Sequence, residues 1–497
     1  MTSTSIVSWI RSRIQSIVSP RRGELREKRA SLSVLYAERE QLPRFVQESA
    51  VAMRYLELLG PLAWEQLPAR NLAWPAPGPV IPLPAFCAAY LVKLEQHLVS
   101  MGQLRTFLVE HPALLWVLGF HLTPSPRFAW GFDGNASLPT QRHLTRMLRS
   151  MPNSVCQILL DSTVSLLQAE LSAHDICLGD AISLDTKHIL AWVRENNPKE
   201  FVPQRFNKEK QPKGDPDCRL GFKARHNHSP RTDPTSSPPT PTQEGKPASQ
   251  RKADGEYLWG YASGVVATKV PQWGEFVLAE LTLPLNTPDA AYFFPLLEQV
   301  ERRLGYKPRF AALDGAFDAF YIYEYFHASG GFAAVPWADR PSHRKSFSTA
   351  GLPLCAAGLP MPLKSTFHKR SACLVPHQCA RYACPLLFPE PSGQSCPIHR
   401  SNWGKGGCLT TLPLSPGTQV RHELDRSSPA YKEIYRQRTA TERINSQATA
   451  LGIERPKLRN GQAIANLNSL LYVLINLRAL HRIRSHSTLS DPQLQSR

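Results

Sequence analysis

Ala181-Ile-Ser-Leu-Asp185 and Phe310-Ala-Ala-Leu-Asp314 are the two stretches on which the reading of this chain turns. Each is a short apolar run that stops at an aspartate. Such a run, bounded by polar sequence, reads as a buried strand. A strand end holds its side chain rigidly, so each Asp would be fixed at the rim of a sheet.

Working outward, the segments around these runs alternate in type. Leu258 to Thr268 and Glu275 to Leu283 read as a β-hairpin, and Asp289 to Leu304 as a helix. Phe310 to Leu313 is a strand, Phe317 to Ala328 a helix and Phe332 to Val335 a short strand. A far downstream helix carries Glu442. Strands mixed with helices predict an α/β fold with a mixed sheet. Periodicity alone leaves the strand order open.

Residues 1–175 read as a mostly helical N-terminal domain. Glu24 to Gln41, Leu91 to Met101 and Gln141 to Leu171 show apolar residues at helical spacing, and proline clusters at 72–84 and 122–126 interrupt them. The Pro-, Ser-, Thr- and Lys-rich stretch at about 227–255 has too little apolar surface to offset the entropy of ordering, so it is expected to be a disordered loop inside the domain that begins at 176 and runs to 336. A Cys-rich insertion follows at 337–430, then a basic helical segment at 431–484 and a flexible tail at 485–497.

The 497 residues are 42% apolar, enough for two or three domains with a sizeable core. Lys and Arg number 58 against 40 Asp and Glu, a formal charge of +18. A balance this basic favours polyanionic partners, because neutralised phosphates release condensed counterions. Segment 431–484 alone carries ten Lys and Arg against three Glu. No apolar run is expected to approach the roughly 18 residues of a membrane span. The first residues, Ser5-Ile-Val-Ser-Trp-Ile-Arg, intersperse charge and suit a basic amphipathic helix rather than a secretory leader. Six of the ten cysteines fall between Cys355 and Cys408, which argues for a local metal or redox feature and a reducing, cytoplasmic setting rather than a disulfide framework. Within that cluster Cys379, Cys384, Cys396 and His399 are candidate ligands of a structural Zn²⁺.

Asp185, Asp314 and Glu442 are three carboxylates that would hold hard divalent cations if the fold united them. Each has a bland reading. Asp185 would cap a loop, with Asp180 as its rival. Asp314 would be a helix N-cap, with Asp318 as its alternate. Glu442 would form an ion pair with Arg438 on a solvated helix. On a single helix, Tyr435, Arg438, Glu442 and Thr449 share one face, while Ala440, Ile444, Ala448 and Leu451 line the apolar side.

Tyr435-Arg-Gln-Arg438-Thr-Ala-Thr-Glu442 resembles the Tyr-x-x-Arg-x-x-x-Glu signature of bacterial insertion-sequence DDE transposases. Asp314-Gly-Ala-Phe-Asp318, Trp259-Gly-Tyr261 and Asn286-Thr-Pro-Asp289 are similar to further local features of that family, over roughly residues 147–482. The resemblance implies a ribonuclease-H-like catalytic domain in which Asp185, Asp314 and Glu442 bind two Mg²⁺ or Mn²⁺ ions. It implies metal-dependent cleavage at terminal inverted repeats of an insertion sequence and strand transfer to target DNA, by a DNA-bound homodimer in the bacterial cytoplasm, associated with the nucleoid. It also implies that Tyr435 and Arg438 contact double-stranded DNA, with Arg443, Lys457 and Arg459 as further DNA-binding candidates, and it makes the helical region 1–175 the candidate for recognising the DNA ends. Thr449 departs from the signature, which has Lys there. A ribonuclease-H-like nuclease without strand transfer, or an inactive DNA-binding derivative, are the alternatives.

Overall fold

The computed structural model describes residues 31–70, 80–224, 255–337, 345–371, 373–399 and 403–490. The expected amphipathic N-terminal helix, nearly all of the loop at 227–255 and the end of the tail lie outside the described residues.

Among the described residues, nine helices of at least four residues precede the main sheet: α1 Leu32–Ala37, α2 Arg44–Gln47, α3 Ala50–Leu59, α4 Leu83–Glu95, α5 Met101–Glu110, α6 Pro112–Val117, α7 Gly134–Ser137, α8 Gln141–Ser150 and α9 Asn153–Ser172. Two of the expected long helices are split. The helix expected over 91–101 is divided by residues 96–100, where Ser100 caps α5 through a reciprocal bond with Gln103. The helix expected over 141–171 breaks at Met151, which is extended because Pro152 follows it.

The main sheet comprises β1 Ala181–Leu190, β2 Arg219–Ala224, β3 Gly255–Val270, β4 Gly274–Pro284, β5 Phe310–Ala312 and β6 Phe332–Ala334. β3 and β4 form the expected hairpin. β1 pairs with β3 antiparallel on one side and with β5 parallel on the other, and β6 pairs parallel beyond β5. β2 continues the edge beside β4, also bonded to β3. β1 is therefore central. It runs five residues past Asp185, so this aspartate lies within the strand rather than at its end. α10 Phe293–Leu304 and α11 Phe320–Ala328 complete this half, and an antiparallel three-stranded sheet of β7 Leu363–Lys369, β8 His377–Ala383 and β9 Leu409–Pro413 forms within the insertion. The chain then runs through α12 Pro416–Glu423, α13 Pro429–Arg436, α14 Thr439–Ala450 and α15 Gly461–Ser490. The result is an α/β fold with a mixed sheet.

Strand alternation sends neighbouring side chains into different cores. Leu258, Ala262 and Val266 of β3 pack with α10 and α11. Trp259, Tyr261, Val265 and Ala267 pack with α14, α15 and the N-terminal helices. One apolar core thus joins residues 32–160 to the final helices.

α15 passes through that core. Residues 461–485 have the length and apolar composition of a membrane-spanning helix, contrary to the expectation from sequence, but 89% of the apolar window is buried inside the protein. Two of its asparagines serve the sheet edge. Asn476 accepts from the Val277 amide and donates to the Val277 carbonyl, both at 2.8 Å. Asn468 reaches Thr282 at 2.8 Å, and Ser469 donates to the buried Glu280 carboxylate. Such bonds satisfy backbone and side-chain groups that water cannot reach.

Candidate functional site

The site is built on the middle of β1. Its register with β5 pairs Ser183 with Ala312. Two residues further on each side come Asp185 and Asp314, so the parallel pairing carries both acids to neighbouring places at the rim. The Asp314 carboxylate accepts from the Ala316 amide at 2.9 Å and so also caps a short 3₁₀ turn, Gly315–Phe317. The N-cap reading and the rim position are one geometry.

A third acid arrives that the sequence marked only as a turn residue. Asp289 begins a 3₁₀ turn ending at Tyr292, whose ring lies on Gly264 of β3. A Cβ at Gly264 would stand 2.4 Å from that ring, so only glycine admits it. Tyr292 also donates to the Ala262 carbonyl at 2.9 Å. Anchored there, Asp289 accepts a 2.8 Å bond from Thr186, the residue after Asp185.

α14 crosses this centre. The expected apolar stripe of Ala440, Ile444, Ala448 and Leu451 is buried. The Thr441 amide donates to Ser183 Oγ at 3.3 Å, and Asn445 Nδ2 donates to Asp185 Oδ2 at 3.0 Å. The Thr186 amide supplies a second bond to Asp185 at 2.8 Å. Asn445 Oδ1 is buried without a donor.

Burial pushes the Asp185 carboxyl up to about 6, and the charges of Asp314 and Asp289 add to the rise. Asp314 is raised for the same leading reason, with Asp289 adding to it. Against both, the Arg438 guanidinium acts to lower. The same guanidinium forms the ion pair with Glu442, four residues on. Arg438 is thus the shared counter-charge of all three acids. Glu442 remains half-exposed, with 49% of its side chain open to solvent.

The single helix expected to carry Tyr435 through Thr449 is two helices, with Gln437 and Arg438 at the joint. Tyr435 therefore sits on α13, stacked on Tyr431 with ring centroids 5.8 Å apart. Arg443 is tied to Glu275 of β4 at 2.5 Å. Lys457 lies over the Trp192 ring at 5.7 Å, and Arg459 donates to the Trp192 carbonyl at 3.3 Å. Thr449 turns back to the Asn445 carbonyl at 2.9 Å. Both rival acids are engaged elsewhere: Asp180 with Arg309 at 2.7 Å, Asp318 with Arg421 at 2.5 Å.

Among the described residues no three His, Cys, Asp or Glu side chains converge closely enough to hold a metal ion. At the rim, Glu442 is held by Arg438 instead of meeting the two aspartates. In the insertion, Cys379 lies in β8 and Cys384 just after it, while Cys396 and His399 share a turn closed by a 3.1 Å amide bond. The chemistry of the rim donors still fits a hard divalent cation. They are carboxylate and amide oxygens, they repel one another, and one buried acceptor, Asn445 Oδ1, has no donor. Such a group would be held by Asp185 and Asp314, with Glu442 joining after release from Arg438. Asp289 and Asn445 were missed as site residues. The signal for Asn445 was present, since it lies three residues after Glu442 and so on the same helix face.

No family model matches the chain, and neither a curated protein nor a solved structure matches it.

Proposed function

We propose that this protein is a DNA transposase that cleaves phosphodiester bonds at the ends of its mobile element and joins them to target DNA. The observation that carries the reading is a juxtaposition. Parallel register brings Asp185 and Asp314 to neighbouring places at one rim of the sheet, and the helix that bears Glu442 is bonded to Asp185 through Asn445. The order of the strands supports a ribonuclease-H-like domain: the first acid is on the central strand, the second at the end of its parallel neighbour, and the third on a helix crossing that centre.

Two bound Mg²⁺ or Mn²⁺ ions would supply activation of the attacking oxygen and neutralisation of the leaving 3′-oxygen. The chain's own groups do the rest. β1 and β5 hold Asp185 and Asp314 at fixed spacing. Asn445 and Thr441 fasten α14, the helix that carries Glu442, across β1. Arg438 exchanges its carboxylate partner for a DNA phosphate, and that exchange frees Glu442. Tyr435 lies one helix earlier than Glu442, and Lys457 and Arg459 at Trp192 would supply further phosphate contacts. Arg443 keeps its bond to Glu275 unless duplex DNA outcompetes it. A DNA-bound homodimer would treat two ends together.

The test is cleavage of duplex DNA carrying the terminal sequences that flank the coding segment, in Mg²⁺ or Mn²⁺. Asp185→Ala, Asp314→Ala and Glu442→Ala each abolish cleavage and leave duplex binding largely intact. Normal cleavage by any of them removes that residue from the site. Hydrolysis without strand-transfer products would make the protein a nuclease, and binding without cleavage an inactive derivative.

A further inference from the structure

Several arginines of this protein sit on carboxylates, among them Arg54, Arg302, Arg309, Arg421, Arg478 and Arg484. One surface instead gathers cations that have no such partner. On α8, Arg142, Arg146 and Arg149 follow at i, i+4 and i+7, so they share a face, and all three are exposed. Leu144, Met147 and Leu148 bury the opposite face. The arginines line a shallow hollow with Gln141 and Thr145. These last two also line an adjoining cleft, whose other walls carry Lys93, Arg455 and Lys457. Among the described residues these six cations form no ion pair. Burial with no compensating acid pushes the Lys93 ammonium down to about 8.

The cleft leads towards the acids. Lys457 lies over Trp192, and Glu454, from the same segment, pairs at 2.6 Å with Lys187, two residues from Asp185 on β1. We propose that the trough formed by α8, the end of α4 and residues 451–458 is a track for the sugar–phosphate backbone of double-stranded DNA leading to the acidic rim. This rests on the DNA reading above and adds the N-terminal helices to the contact surface.

The dimensions agree. Arg142 to Arg149 spans about 10 Å of helix, on the order of three phosphates along one strand. Unpaired cations at this spacing would release counterions on binding DNA, whereas paired ones would first have to give up their carboxylates.

The experiment measures equilibrium binding of a random-sequence duplex at several salt concentrations. The proteins are the full chain, the triple variant Arg142→Ala/Arg146→Ala/Arg149→Ala, its Arg→Lys counterpart, and Lys457→Ala. Thermal melting checks that each folds. The expected result is a log–log salt slope shallower by roughly 2 to 3 in the triple alanine variant, about 0.9 per lost phosphate contact, and by about 1 in Lys457→Ala. The lysine counterpart keeps most of the slope. An unchanged slope in the folded alanine variant overturns the track while leaving the DNA reading intact. Loss of affinity for double-stranded RNA or an acidic polypeptide, with duplex DNA unaffected, assigns the trough to another partner and also overturns it. Failure of the unaltered chain to bind duplex DNA overturns the DNA reading and the track together.

Discussion

Asn445 of α14 donates a 3.0 Å hydrogen bond to the Asp185 carboxylate on β1, across 260 residues of chain. This bond is the most direct tie between the late helix and the central strand. It orients one acid and fixes the helix that carries another.

Asn445→Ala is expected to lower Mg²⁺-dependent cleavage on the order of 10- to 100-fold, the usual cost of losing a partner that orients a metal ligand. Duplex affinity should hardly change. Steady-state cleavage and a binding titration check this together, and a variant with full cleavage would show that α14 is placed without this bond.

Asp185 gives a pH signature. Its folded value is about 6 against an ordinary 3.8. Between those values the folded protein keeps a proton that the unfolded chain has released, so stability falls as pH rises through the window. Metal binding needs the ionised form, so Mn²⁺ affinity should climb as pH rises through about 6. Asp185→Asn removes the charge at every pH. Its melting temperature relative to the unaltered chain should be higher at pH 8 than at pH 4, while cleavage is lost. A pH-independent difference in melting temperature would show that Asp185 is not desolvated.

Arg438 is predicted to set that window. Its charge lowers both Asp185 and Asp314. In Arg438→Gln the two carboxyls rise further, so the midpoint of Mn²⁺ binding moves to higher pH. The shift is measurable by titration without DNA, and an unmoved midpoint would remove Arg438 from the rim.

A separate prediction concerns the buried network behind the hairpin. The Arg303 side chain is 1% exposed, bonds Asp161 at 2.5 Å and Gln157 at 2.6 Å, and lowers Glu280, whose burial pushes it up to about 7. Arg303→Met leaves the buried Glu280 without that charge, while Asp161 keeps Arg302, and should cost on the order of 3 kcal/mol. Chemical denaturation measures it.

The strands and the two aspartates were legible because a buried strand carries its own signature in composition and length. Leu258 to Thr268 and Glu275 to Leu283 fall inside the observed hairpin, and Phe310 to Leu313 is off by one residue. The apolar stripe of α14 was legible for the same reason. What escaped was set by tertiary contact. Local sequence marks Asp289 only as a turn residue, and it reaches the rim because Tyr292 rests on a glycine of another strand. The joint at Gln437 and Arg438 escaped because no Gly or Pro announces it. α15 looked unremarkable beside shorter apolar runs because Asn466, Asn468 and Asn476 interrupt its hydropathy, and their purpose appears only in the fold: Asn468 and Asn476 bond the sheet edge, and Asn466 donates to the Leu148 and Met151 carbonyls.

That asparagine-bearing helix also dictates when the protein becomes whole. Asn153 reaches Ser469 across 316 residues, and Asn476 reaches Thr163 across 313. A chain emerging from the ribosome has its sheet and early helices long before residues 461–485 are made. Until then the edge strand β4 keeps the Val277 peptide groups unpaired and the common core lacks its central rod. Contacts this distant in sequence slow folding, and an uncovered edge invites pairing with another chain. Synthesis stalled before residue 461 would therefore yield an aggregating fragment rather than a partly active protein, so the competent state is reached only once residues 461–485 have been made.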